Sequence, residues 1–130
     1  MTAPALAGAT LALIRGAQVP PPYVLAGESS AALDARVFVG LYPSEVAGQV
    51  LVNWADPALF LDLRSNNGKR GQRIPQWIYH SQDAEARAAA SLGGRPLRVL
   101  SAGNIAAPPE VLEAWTKAQN DLARLSTRGR

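Results

Sequence analysis

Between Arg64 and Tyr79 the chain gathers Arg64, Lys69, Arg70 and Arg73 around an Asn- and Gly-rich turn. Trp77 and Tyr79 follow at once, and no carboxylate interrupts the run. Cations neutralise phosphates and release their counterions, while an aromatic face is a platform on which an unpaired base stacks. Interleaving of the two is what a single-strand-binding surface requires. Arg64 and Arg73 flank the turn, and an anion held between them relieves their repulsion across a hairpin. The segment therefore predicts a site for single-stranded or structured nucleic acid made of Arg64, Lys69, Arg70, Arg73, Trp77 and Tyr79. The competing reading is a solvated hairpin tip whose basic residues guard a sheet edge, with both aromatics turned into the core.

His80 is the only histidine of the chain, and Ser81 and Asp83 follow it closely. A Ser–His–Asp arrangement is defined in space, however, and neighbours along a chain seldom face one another correctly. A nuclease-like site would use His80 as general acid or base, with Arg64 or Arg73 holding the phosphate and Asp62 as carboxylate partner. With no cysteine and one histidine, thiolate zinc, haem and iron–sulfur sites lose their usual ligands, so no metal and no cofactor is expected. Phosphate-binding glycine motifs are also lacking: "NGKRG" has neither the upstream glycine nor the following Ser or Thr of a P-loop, and no GxGxxG occurs.

A second candidate surface lies near the C-terminus. Val111, Trp115, Ala118, Leu122 and Leu125 are spaced four, three, four and three, a narrow helical stripe with charge on the other face. Such a stripe covers the domain's own sheet or docks on a partner, and in the second case Trp115 and Leu122 are the anchors.

The elements that must position these residues follow from periodicity and turn chemistry. Leu11 and Leu13 alternate within "GATLALIRG" and read as a first strand, and "VPPPY" (19–23) as a rigid turn between two strands. "ARVFVGLY" (35–42) and "GQVLVNWAD" (48–56) alternate apolar residues on one face and are joined by the turn-sized "PSEVAG"; they predict an antiparallel pair. "ALFLDLRS" (58–65) and "RIPQWIYH" (73–80) predict a second pair around the basic turn, with Pro75 placing the later strand at an edge. Ser81 as N-cap, Asp83 and Glu85 in the first turn and Gly93 at the stop predict a short helix near 82–92. "PLRVLSAG" (96–103) reads as a further strand, and "APPE" opens a C-terminal helix near 109–125.

These elements predict an α+β fold in one domain, residues 1–130, with a mostly antiparallel small curved sheet or partly open barrel of five to seven strands. The chain has 130 residues, 48% hydrophobic and 18% charged, which is globular composition and length enough for one core. A net charge of +3 permits an acidic partner without requiring one. The apolar N-terminal run has no basic residues before it and stops at Arg15, so neither a signal peptide nor a membrane helix is expected, and the cytoplasm is the default location. Sequence alone thus points to a small non-catalytic nucleic-acid-binding module. The alternatives are an assembly or adaptor subunit, of a homo-oligomer or of a viral or mobile-element particle, and a small metal-independent nuclease using His80.

Overall fold

The computed structural model describes residues 2–54, 91–104 and 106–130. Within them the chain order is helix α1 (Ala3–Gly16), strand β1 (Tyr23–Glu28), helix α2 (Ser30–Leu41), a 3-10 turn (Pro43–Glu45), strand β2 (Val46–Val52), strand β3 (Leu97–Leu100) and helix α3 (Pro109–Ala123). The strands form one sheet in the order β1-β2-β3, and both pairings are parallel. This overturns the expected antiparallel curved sheet or barrel of five to seven strands: the described sheet has three strands, all running the same way. The expected strands at 58–65 and 73–80 lie outside the described residues, as does most of the helix expected near 82–92.

Two apolar segments read as strands are helices, and their packing gives the reason. Around Leu11, Thr2 caps α1 by accepting from the Ala5 N–H at 3.4 Å, and Ala3, Ala7 and Leu11 recur every four residues on its buried face. The helix ends with Gln18 in the left-handed region (φ 58), its N–H bonded to Arg15 O and that of Val19 to Ile14 O, the pairing of a Schellman stop. The Pro-rich link then leads from a helix into β1, not between two strands. In 35–42 the alternation of Val37, Val39 and Leu41 coincides with a helical set. Leu33 and Val37 are four apart, and Val37, Phe38 and Val39 are all buried, whereas a strand covered on one side would expose Phe38. Burial against the sheet overrides the strand preference of the valines. With α2 between them, β1 and β2 meet in parallel, as a helical crossover allows and a tight turn does not.

The core is the cluster of Leu33, Phe38, Val39, Leu51, Leu97 and their neighbours between the helices and one face of the sheet. Leu51 and Leu97 are wholly buried and lie on adjacent strands, where Gln49 pairs with Leu97 and Leu51 with Val99. Gly27 turns its Cα toward α2. A Cβ there would stand 2.5 Å from Ala31 O and 2.6 Å from Ala32 Cα, so only glycine lets strand and helix approach this closely. The other sheet face carries Val24 and Leu100 at 67% and 52% exposure, although parallel sheets are ordinarily covered on both sides. At the outer edge of β3 the chain returns alongside: Val99 N–H donates to Arg130 O at 2.8 Å and Arg130 N–H to Leu97 O at 3.2 Å. The expected C-terminal helix is found as α3, with Leu122 in the core. No helix among the described residues is long and apolar enough to cross a membrane.

Two substitutions probe this packing. Gly27→Ala is expected to cost about 3 kcal/mol in urea unfolding, because the added methyl meets backbone that cannot move aside. Gly103→Ala, with open space around it, is expected to change stability by under about 0.5 kcal/mol. Gln49 is buried at 2% exposure with neither Oε1 nor Nε2 hydrogen-bonded, so Gln49→Leu is expected to stabilise by about 1–2 kcal/mol in the same assay.

Candidate active site

A candidate for chemistry among the described residues is Ser29, at the turn where β1 becomes α2. Its backbone sits at φ 53, ψ −124, a conformation that L-residues with side chains avoid. Three contacts hold it there. The Ser29 N–H donates to Val52 O at the end of β2 (3.0 Å), and Ser29 O accepts from the Ala32 N–H at 3.1 Å and so begins the helix. Gly27, two residues earlier, presses β1 onto Ala31 and Ala32. A serine before a helix usually turns its hydroxyl back to cap the first amides. Here the positive φ directs it elsewhere: Ser29 makes no side-chain cap bond and is exposed.

Strand, sharp turn and helix together form a nucleophile elbow, which presents a hydroxyl above the C-terminal edge of a parallel sheet. Ser30 opens α2, so its N–H has no intrahelical acceptor and lies at the positive end of the helix dipole. The amide of the residue after a nucleophilic serine is the donor such elbows offer to a developing oxyanion. Ligand sites of open α/β sheets gather at this same strand edge.

The loops leaving β2 and β3 at that edge are fastened to each other and to α3. Asn53, itself left-handed at φ 47, donates its N–H to Leu100 O at 2.8 Å and accepts from the Ala102 N–H on Oδ1 at 2.7 Å. On α3, Trp115 Nε1 donates to Ser101 Oγ (2.7 Å) and Gln119 Nε2 to Trp54 O (2.6 Å), two bonds one helical turn apart. The ring of Trp54 is buried and carries the Arg36 guanidinium 5.1 Å from its centroid, a cation–π contact that ties α2 into the same cluster.

The residues expected from sequence are distributed differently. Arg64, Lys69, Arg70, Arg73, Trp77, Tyr79 and His80 lie outside the described residues. Trp115 is half-buried against Ser101, and Leu122 is in the core at 5% exposure. Of the cations among the described residues, Arg95 donates from Nε to Val46 O and from Nη2 to Pro43 O. Arg124 is paired with Asp121, which also accepts from Lys117. Those two neighbours, the Lys117 hydrogen bond foremost, hold the Asp121 carboxyl below its usual range. Among the described residues no group of three or more His, Cys, Asp or Glu is placed to hold a metal.

Ser29 escaped the sequence reading, which tested for phosphate-binding glycines and for serines near His80. The available signal was "GESSA" (27–31), which follows the G-x-S-x-G pattern of a nucleophile elbow except that Ala31 stands at the last glycine. Its context, a strand before and a helix after, was hidden by reading 35–42 as a strand.

Solved structures of this architecture are known. The chain is similar to a protein of Mycobacterium tuberculosis H37Rv named as a non-haem bromoperoxidase, with TM-score 0.60 and 15% identity over 100% of this chain and 64% of that one. It is similar to Rv0554 of Mycobacterium tuberculosis, with TM-score 0.59 and 17% identity over 100% and 62%. A third likeness is to a protein of Acinetobacter baumannii AYE named as a lipase, with TM-score 0.58 and 18% identity over 99% and 57%. The chain thus spans less than two thirds of the length of each. No family model matches it, and no curated protein does. The fold is α/β-hydrolase-like, and this overturns the expected nucleic-acid-binding module.

The strained serine gives a test of the elbow itself. Ser29→Gly is expected to raise stability by about 1 kcal/mol, since glycine adopts φ 53 freely and the relief exceeds the added unfolded-state entropy. Ser29→Ala keeps the Cβ and is expected to change it by less than half as much; paired urea melts read the difference.

Proposed function

We propose that this chain carries the nucleophile of an acyl-transfer hydrolase, with Ser29 as that nucleophile and an ester or related acyl compound as substrate. The observation that carries the reading is the backbone of Ser29, a non-glycine residue held at φ 53, ψ −124 between a parallel strand and a helix, with its side chain exposed. Strain of 1–3 kcal/mol persists only where the surrounding structure over-determines it, and such residues cluster at active sites. The names of two structural neighbours, a lipase and a bromoperoxidase, agree with an enzyme of this fold.

In this reaction Ser29 Oγ attacks the acyl carbonyl carbon and gives up its proton to a general base. The carbonyl oxygen becomes an oxyanion against the Ser30 N–H and the N-terminus of α2. Collapse expels the leaving group, which takes the proton back from the base and leaves an acyl-Ser29 ester. Water, deprotonated by the same base, then releases the acid and frees the hydroxyl. The described residues include no histidine, so the base comes from elsewhere in the protein.

A fluorophosphonate reports the reading directly. The full protein is expected to gain the mass of one phosphonyl group, mapped by peptide fragmentation to Ser29, and Ser29→Ala is expected to gain none. No adduct on the unaltered protein, or the same adduct on Ser29→Ala, would overturn it.

A further inference from the structure

Ser29 is preceded by a carboxylate that makes no ion pair among the described residues. Glu28 is the last residue of β1, and adjacent Cα atoms are only about 3.8 Å apart across a trans peptide. Its backbone is fixed by the same strand that fixes the nucleophile: Glu28 is in register with Val52, whose carbonyl holds the Ser29 N–H. Side chains alternate along a strand. Gly27 faces α2, so Glu28 stands on the opposite sheet face with Val24 and Ala26, and all three are exposed. Val52 and then Leu100 lie beside it across the strands, which makes its immediate flank apolar.

Several cations of the described residues are engaged elsewhere. Arg15 is paired with Glu45, and Lys117 and Arg124 with Asp121. The Arg95 guanidinium is spent on backbone carbonyls. Arg36 lies on the Trp54 ring, on the helix side of the sheet. Arg98 shares the face of Glu28, but it pairs with Val50, which pairs with Ala26. That register puts its Cα two strands across and two residues down, about 12 Å from the Cα of Glu28 by sheet spacings. No ion pair among the described residues includes Glu28.

We infer that Glu28 sets the charge preference of the Ser29 site, favouring acyl substrates that carry an ammonium group and disfavouring those that carry a carboxylate or sulfonate. This rests on Ser29 being the nucleophile. A negative charge on the residue next to the nucleophile attracts a cationic substrate and repels an anionic one. It also opposes the growing oxyanion, a cost that an ammonium on the substrate offsets. The net charge of +3 favours anions at long range, so a preference for cations must arise locally. Val52, the neighbour of Glu28 on β2, suits the alkyl part of an alkylammonium.

The test uses three activated esters of matched size, with a trimethylammonium, a tert-butyl or a sulfonate group on the acyl chain. The second-order rate of Ser29 acylation is read by intact mass. The expected order is cationic, then neutral, then anionic, with steps of roughly three- to tenfold that shrink as salt is added. Glu28→Gln is expected to bring the cationic-to-neutral ratio within about twofold, and Glu28→Asp to restore part of it. Ser29 acylation without a charge order, or an order that survives in Glu28→Gln, overturns the role of Glu28 and leaves Ser29 standing. Failure of all three esters to acylate Ser29 overturns both readings.

Discussion

Everything at the C-terminal edge of the sheet depends on how closely the end of β1 approaches the first turn of α2. A Cβ on Gly27 would lie inside the backbone of Ala31 and Ala32, so the strand can turn into the helix within a single residue. That residue, Ser29, takes the positive φ the turn requires. Its N–H is held by β2 and its carbonyl starts the helix. The strain is local, while the contacts that impose it come from three separate elements. This is why a serine can be kept where glycine would rest more easily.

The remainder of the structure keeps that edge from moving. Leu51 and Leu97, both fully buried, lock β2 and β3 under the helices. Asn53 then joins the ends of those strands, and Trp115 and Gln119 of α3 fasten the loops beyond them. Arg36 and Trp54 link α2 to the same cluster. A reactive group on a turn is positioned only as well as the elements supporting it. Here the support is built from backbone and side-chain hydrogen bonds and apolar burial, and the buried Gln49 amide, with neither Oε1 nor Nε2 bonded, contributes no such bond.

Three of the described cations are used to hold the fold together. Arg95 closes three carbonyls of the 3-10 turn, β2 and its own loop, Arg15 ties α1 to Glu45, and Arg124 stays within its own helix. A guanidinium has five donors and satisfies backbone carbonyls as readily as phosphates. Counting basic residues along a chain cannot tell these uses apart. Among the described residues, Glu28 beside the elbow is in no ion pair.

Short alternating runs next to turn residues are legible as strands where the sheet is flanked on one side: β3 lies within 96–103, and β2 overlaps 48–56 but begins at Val46 and ends at Val52. The Pro-initiated stripe at 109–125 was legible as a helix, because its charged face makes the period plain. The segments around Leu11 and Val37 were not. They are apolar on most sides, so periods of 2.0 and 3.6 fit the letters equally well, and only burial against the sheet distinguishes them. Once α2 was taken for a strand, parallel pairing could not follow, and "GESSA" had no helix to turn into. Sequence by itself determined that the chain would be globular, rich in short elements, without thiolate chemistry, and closed by an amphipathic helix. Tertiary structure alone decided strand direction, the left-handed backbone of Ser29 and the emergence of its hydroxyl at the sheet edge. These depend on contacts among β1, α2 and β2, and a local pattern of residue types does not contain such contacts.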